Sequence, residues 1–172
     1  MLCRTLFTLR FDTRANRQVT HVKGHRDEVY CLDFNKNNSH LFATGSKDCS
    51  IGLWDMRQLD TQIFGFDHHR ESVIKLDWCP YDPKYLLSCS EDNKVSLWDT
   101  TRIGDETKDE ENTDGPVELV FSHCGHKLGL TDASWNLAPG SMTFASVDVN
   151  DNQLQVWQVA SDLITKDEVY LM

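Results

Sequence analysis

The sequence lacks three features that would identify common protein classes. Its six cysteines form no Cys-x-x-Cys pair, and we therefore expect reduced thiols, in the nucleus or cytoplasm. No apolar run approaches the ~20 residues that a membrane helix needs, and the apolar stretch at the N-terminus is too short for a signal peptide. A hydrophobic content of 40% is too high for a disordered chain, so we expect one globular domain.

The chain also lacks an excess of basic residues. Its formal net charge is -10, and the segment from Asp105 to Glu118 alone carries seven carboxylates against Lys108. Such a surface repels a phosphate backbone, which argues against direct nucleic-acid binding and for a basic protein partner.

A repeat organises the chain. His25, His69 and His126 are each followed nine residues later by an aromatic residue. A tryptophan then follows each histidine after 29, 29 and 31 residues, and an aspartate precedes each tryptophan by six residues. The aspartate and tryptophan pairs are Asp48 and Trp54, Asp92 and Trp98, and Asp151 and Trp157.

Each repeat has the signals of short strands. In the first unit these are VYCLDF, LFATGS, SIGLWD and TQIFGF, of which the first alternates in polarity and the third follows a polar turn. Four antiparallel strands in a unit of 44 residues, from His25 to His69, predict an all-β fold made of β-propeller blades.

The repeat resembles that of the WD-repeat family, whose signals stand here as Gly24-His25, Trp54-Asp55 and Trp98-Asp99. The resemblance implies that the recurring polar residues form structural tetrads rather than a catalytic site. We therefore expect no enzyme activity, no cofactor and, despite the His-Cys-Gly-His segment ending at His126, no metal site. The expected tetrads are His25, Thr44, Asp48 and Trp54; His69, Ser88, Asp92 and Trp98; and His126, Ser146, Asp151 and Trp157.

The units divide the chain as one partial propeller. We expect residues 1–23 to end a preceding blade, 24–67 and 68–124 to form full blades, and 125–159 to form a last blade without its fourth strand. The tail, 160–172, begins with a helix cap at Ser161 or Asp162. A closed propeller has about four to eight blades, so the chain resembles the C-terminal half of one, with unpaired edges.

The acidic insertion, 104–116, lies between the third and fourth strands of the second full blade. It ends in Asp114-Gly115-Pro116, and together with Phe121 and Gly125-His126, which follow it, the insertion resembles one branch of the family, the histone-binding, retinoblastoma-binding-protein type. The resemblance implies binding to core histones three and four, and membership of histone acetyltransferase, deacetylase or chromatin-assembly complexes in the nucleus.

Two sites follow from this resemblance. In the first, acidic side chains pair with a basic amphipathic helix and Phe121 is an apolar anchor. In the second, the mouth of the ring binds a histone tail. The acidic loop contributes Asp105, Glu106, Asp109, Glu110, Glu111 and Asp114; the ring mouth contributes Asp27, Glu28, Tyr30 and Glu71.

Other functions remain open. The Trp-Asp-x-Arg ending at Arg57 is similar to a motif that docks some WD-repeat proteins to a cullin ubiquitin-ligase adaptor, as substrate receptors. The chain can also be a general WD-repeat interaction scaffold, and the acidic loop can be a solvated insertion that aids solubility.

Overall fold

The computed structural model describes residues 6–12, 14, 17–105, 115–138, 142–149 and 153–160. These residues form strands, with one 3-10 turn at Thr100–Arg102. The prediction of an all-β fold is confirmed. The strands are β1 Leu6–Asp12, β2 Arg17–His25, β3 Val29–Phe34, β4 Leu41–Ser46, β5 Ser50–Asp55, β6 Phe64–Asp67, β7 Val73–Trp78, β8 Tyr85–Ser90, β9 Val95–Asp99, β10 Leu119–His123, β11 Leu130–Trp135, β12 Thr143–Asp148 and β13 Leu154–Gln158.

The strands form separate antiparallel sheets that follow the sequence repeat. The first sheet is β3-β4-β5-β6, the second β7-β8-β9-β10 and the third β11-β12-β13, while β1 and β2 pair as a hairpin. In each four-stranded sheet the strands are neighbours in the order of the chain, which is the arrangement of a propeller blade. The helix predicted after Ser161 lies outside the described residues.

The core lies between neighbouring sheets, because each strand points its apolar side chains alternately to the two faces. Ile51 and Leu53 of the first sheet pack against Leu76, Trp78 and Trp98 of the second. A second cluster joins the second sheet to the third; it includes Leu87, Cys89, Val95, Leu97, Leu130, Ala133, Trp135 and Phe144. Each blade therefore buries its apolar surface against its neighbours, and the sheets depend on one another for stability.

A carboxylate joins each pair of neighbouring sheets at the innermost strand. The backbone N–H of Trp78 donates to Asp33, at 2.8 Å, and that of Trp135 donates to Asp77, at 3.0 Å. The indole N–H of Trp135 also donates to the carbonyl oxygen of Asp77, at 2.9 Å. Burial raises the pKa of Asp77 above its ordinary value, and the bond from Trp135 only partly opposes this.

Replacing the tryptophan of the second blade tests the packing between sheets. Trp98 is fully buried, so Trp98→Ala is expected to lower the free energy of unfolding by roughly 3–5 kcal/mol, measured by urea denaturation. Leu137 is 76% exposed, and the control Leu137→Ala should change it by less than about 0.5 kcal/mol. Similar losses in both variants would contradict the assignment of Trp98 to the core.

Two substitutions at Asp77 separate its role as an acceptor from its charge. Asp77→Ala leaves the N–H of Trp135 without its acceptor and should lower the free energy of unfolding by about 1–3 kcal/mol. Asp77→Asn keeps a carbonyl acceptor and removes a charge that burial disfavours, so its loss should be clearly smaller at pH 7. Equal losses would show that the charge itself holds the sheets together. Asp132→Asn, at an exposed carboxylate, is the control.

Candidate interaction surfaces

A chain of hydrogen bonds crosses the first blade from its turn to its third strand. The Nε2 atom of His25 lies 2.7 Å from the hydroxyl of Thr44, which also accepts from the indole N–H of Trp54 at 2.8 Å. The Nδ1 atom of His25 lies 3.0 Å from the hydroxyl of Ser50 and 3.4 Å from Asp48. The structure therefore brings together the four residues expected from the sequence, and Ser50 joins them.

The second blade repeats this geometry. The Nε2 atom of His69 lies 2.8 Å from the hydroxyl of Ser88, which accepts from the indole N–H of Trp98 at 2.8 Å. The Nδ1 atom of His69 lies 3.0 Å from a carboxylate oxygen of Asp92. Both ring nitrogens of this histidine are thus engaged within the blade, which leaves neither for a ligand.

In the third blade Asp148 lies beside the histidine. The Nε2 atom of His126 lies 2.7 Å from the hydroxyl of Ser146, and the indole N–H of Trp157 donates to the same hydroxyl at 3.2 Å. The Nδ1 atom of His126 lies 3.4 Å from Asp148. Asp151, chosen by its distance from the tryptophan, lies outside the described residues. Asp148 follows His126 by 22 residues, close to the 23 residues that separate His25 from Asp48 and His69 from Asp92.

Burial and hydrogen bonds set the ionisation of these groups. Burial lowers the pKa of His25, although the carboxylate of Asp48 opposes the shift. Burial alone would raise the pKa of Asp92, but hydrogen bonds from His69 and from the backbone N–H groups of Arg70 and Lys94 outweigh it, and that pKa is lowered. In the first two blades the tetrads therefore stabilise the contact between turn and sheet when Asp48 and Asp92 are ionised.

The turns that carry these histidines and aspartates lie on one side of the sheets. In the first blade the backbone N–H of Lys47 donates to the carbonyl of Glu28, at 2.8 Å, and in the second that of Glu91 donates to the carbonyl of Ser72, at 3.0 Å. In the third, the N–H of Val149 donates to the carbonyl of Gly129. We name the side on which these turns meet the turn side of the blades.

The expected ring-mouth residues lie on or next to the turn side. Asp27 is half-buried, Glu28 and Glu71 are exposed, and a carboxylate oxygen of Glu28 lies 3.9 Å from the Nζ atom of Lys47. Basic residues share the same turns, so the charge of this surface is mixed; they are Arg26, Arg70, Lys94 and Lys127. Tyr30, at 45% exposure, instead lines an open groove of about 600 Å³ between β3 and β7.

The acidic insertion begins and ends at the opposite side of the second blade. The backbone N–H of Asp99 donates to the carbonyl of Glu118, at 2.8 Å, and closes the base of the loop. The side chain of Asp99 accepts from the N–H of Thr101 and caps the 3-10 turn that follows. Gly104 and Gly115 have φ values of 91° and 131°, which favour glycine. Both ends of the loop are therefore fixed to the blade.

The described part of the expected acidic site is small. Asp105 is exposed, immediately after the 3-10 turn, and its backbone N–H donates to the carbonyl of Arg102 at 3.0 Å. The other expected carboxylates lie outside the described residues: Glu106, Asp109, Glu110, Glu111 and Asp114.

Phe121 is less exposed than a free apolar anchor would be. It lies in β10 opposite Leu97 and is half-buried against the core cluster between the second and third sheets. Part of its surface remains accessible on the strand that follows the insertion. Substitution of Phe121 is therefore expected to affect packing as well as any binding at the loop.

The Trp-Asp-x-Arg segment forms a local ion pair. The guanidinium of Arg57 donates to both carboxylate oxygens of Asp55, at distances from 2.6 to 3.1 Å. The hydrogen bonds from Arg57 lower the pKa of Asp55 to about 2. Arg57 remains largely exposed, while its donors are partly used within the chain. Docking of a ubiquitin-ligase adaptor at this segment stays a prediction.

In the part of the chain that the structure describes, no group of three or more His, Cys, Asp or Glu side chains is placed to hold a metal ion. Among the same residues no helix has the length and apolar character needed to cross a membrane.

Comparison with protein families identifies the repeat. The WD domain, G-beta repeat, matches residues 16–55 and 60–99. These ranges end at Asp55 and Asp99, the last residues of β5 and β9. The third sheet has the same hydrogen-bonded histidine, serine and tryptophan. The chain therefore contains WD repeats, and its architecture is that of a WD-repeat protein-interaction scaffold.

The lowered pKa of His25 makes the stability of the blades depend on pH. A histidine with a lower pKa in the folded state stabilises the fold above about pH 6.5, its unfolded value, and this contribution is lost as pH falls through the folded pKa. Burial also lowers the pKa values of His68 and His123, so the free energy of unfolding should fall between pH 7.5 and pH 5.5.

Replacing His25 measures how much of the pH dependence of the free energy of unfolding is due to this residue. Urea denaturation of His25→Gln should show a lower stability and a slope with pH that is reduced by up to about 1.4 kcal/mol per pH unit. His40 is exposed, and the control His40→Gln should change the free energy of unfolding at pH 7.5 by less than about 0.5 kcal/mol. An unchanged slope in His25→Gln would contradict the proposed origin.

Proposed function

We propose that this WD-repeat scaffold binds a basic amphipathic helix of a core histone at the acidic loop, as a subunit of chromatin-modifying or chromatin-assembly complexes. The observation that carries the proposal is the fixed base of the loop, where the hydrogen bond from Asp99 to Glu118 joins a strongly acidic segment to a rigid blade. Binding residues are commonly placed on loops that a rigid scaffold holds.

The charge of the loop gives the partner its chemical character. The segment from Asp105 to Glu118 has a net charge of -6, from seven carboxylates and one lysine, while the turn side carries both signs. Lysines and arginines of a helix are attracted to such a loop over about a Debye length, ~8–10 Å at physiological salt. The loop therefore supplies attraction and orientation.

Apolar contact at the base of the loop would supply most of the binding free energy. Leu119, Val120 and Phe121 follow the loop directly in β10 and are half-buried, so each keeps some accessible surface. Exposed ion pairs contribute only about 0.2–1 kcal/mol each, and an apolar anchor at the centre of an interface usually contributes more. An amphipathic helix offers both kinds of contact on adjacent faces.

Neutralising the loop tests the proposal. In the triple variant Glu110→Gln, Glu111→Gln, Asp114→Asn, loss of three exposed pairs should weaken binding of a labelled histone helix peptide by roughly 3- to 100-fold at low salt. The loss should shrink at high salt, because screening already weakens the wild-type pairs. Fluorescence anisotropy at two salt concentrations measures both effects.

A second triple variant provides the matched control. Asp27→Asn, Glu28→Gln and Glu71→Gln remove the same charge from the turn side, and this variant should bind the peptide almost as the wild type does. A larger loss in this control than in the loop variant would place binding at the ring mouth and refute the proposal. Unchanged affinity in both variants would leave the loop as a solubilising insertion.

A further inference from the structure

Two exposed apolar faces lie at the ends of the stack of sheets. In β3, Leu32 and Phe34 are 52% and 45% exposed. In β13, at the other end, Leu154 and Val156 are 66% and 64% exposed. In each strand the two side chains are two residues apart and so lie on one face. Contiguous apolar surface of this kind commonly marks an interaction site.

The β3 face corresponds to a face that is buried in the next blade. Leu32 and Phe34 occupy the positions of Leu76 and Trp78, which are 2% and 0% exposed. Leu76 and Trp78 are covered by Ile51 and Leu53 of the preceding sheet. The face of β3 is therefore the half of a blade interface that accepts a preceding blade.

The β13 face corresponds to the other half. Leu154 and Val156 occupy the positions of Val95 and Leu97, which are both 0% exposed. Val95 and Leu97 are covered by the third sheet, through a cluster that includes Leu130. The same kind of interface thus occurs twice, between the first and second sheets and between the second and third. Its two complementary halves are exposed on β3 and on β13.

We propose that the β13 face of one copy of this chain binds the β3 face of a second copy, head to tail. The second copy is the occupant because one chain carries both halves, so its copies can form this contact without any other component. Such a contact is heterologous, and it produces closed rings or open chains of copies rather than a face-to-face pair.

The polar contact of the internal interfaces can also be made between copies. Asp33 and Asp77 accept from the backbone N–H of Trp78 and Trp135 in the next sheet. Ser134 has the same position in the third sheet. Its hydroxyl donates to Asp77 at 3.2 Å, and its oxygen can still accept from the backbone N–H of Phe34 in a second copy. The contact would therefore reproduce both the apolar and the hydrogen-bonded parts of the interface.

The β1–β2 hairpin leaves the β3 face accessible. At the end of β2, a Cβ at Gly24 would collide with the ring of Trp54, so the hairpin ends against the third strand of the first sheet. Neighbouring sheets within the chain touch mainly through their innermost strands, β7 against β3 and β4, and β11 against β7 and β8. A second copy would contact the first sheet through β3 and β4, and the hairpin does not end against these two strands.

Complementation of two variants tests the proposal. Light scattering after size exclusion should give the wild type, of 19.8 kDa per chain, a mass of at least two copies. Leu32→Asp and Val156→Asp should each be monomeric, because each buries a charge in one half of the contact. Mixed together they should form a dimer, since one retains the β13 face and the other the β3 face. The control Leu137→Asp should associate as the wild type does.

Each other result overturns the proposal. A monomeric wild type at its highest soluble concentration would show that the faces do not bind each other. Association that survives both substitutions would place it on another surface. Two monomeric variants that stay monomeric when mixed, while circular dichroism shows them folded, would exclude a head-to-tail contact.

Discussion

The structure depends on one hydroxyl in each blade that is shared by a histidine and a tryptophan. Thr44, Ser88 and Ser146 each lie in the second strand and meet a ring nitrogen of the histidine within 2.8 Å. Each also accepts from the indole of the third strand. Because each histidine lies four residues before the first strand of its sheet begins, the one hydroxyl fixes the segment that enters the sheet to two of its strands. Unpaired, these buried groups would each cost about 1–3 kcal/mol.

The tetrads hold together the strands of one blade. The packing of one blade on the next depends instead on the apolar faces of neighbouring sheets and on their innermost strands. Asp33 and Asp77 hold the backbone of the following blade, and the apolar residues of the third strands fill the space behind them. Burial raises the pKa of Asp77, so keeping this carboxylate ionised has a cost, yet its hydrogen bond from the backbone of Trp135 joins the second sheet to the third. The tetrads therefore stabilise each blade, and the contacts between sheets stabilise the stack of blades.

Sequence alone predicted the elements whose signals repeat. The strands followed from short apolar and alternating stretches, the place of the insertion followed from the spacing of histidine and tryptophan, and the tetrads of the first two blades were implied by the resemblance to WD repeats. It missed Asp33 and Asp77, because a carboxylate on an alternating strand resembles any solvent-facing residue. It did not point to Asp148, which precedes Trp157 by nine residues rather than by the six that separate Asp48 from Trp54. The burial of Phe121 depends on the third sheet, which no local pattern in β10 encodes.

The hydrogen bond between Asp99 and Glu118 has a consequence for variation of the chain. It closes the insertion at its base, so β9 and β10 keep their register whatever the loop contains. For a flexible loop, doubling the length adds only about 0.6 kcal/mol to the free energy of closure. The segment between these residues can therefore lengthen, shorten or change its charge over generations while the blade that carries it stays the same.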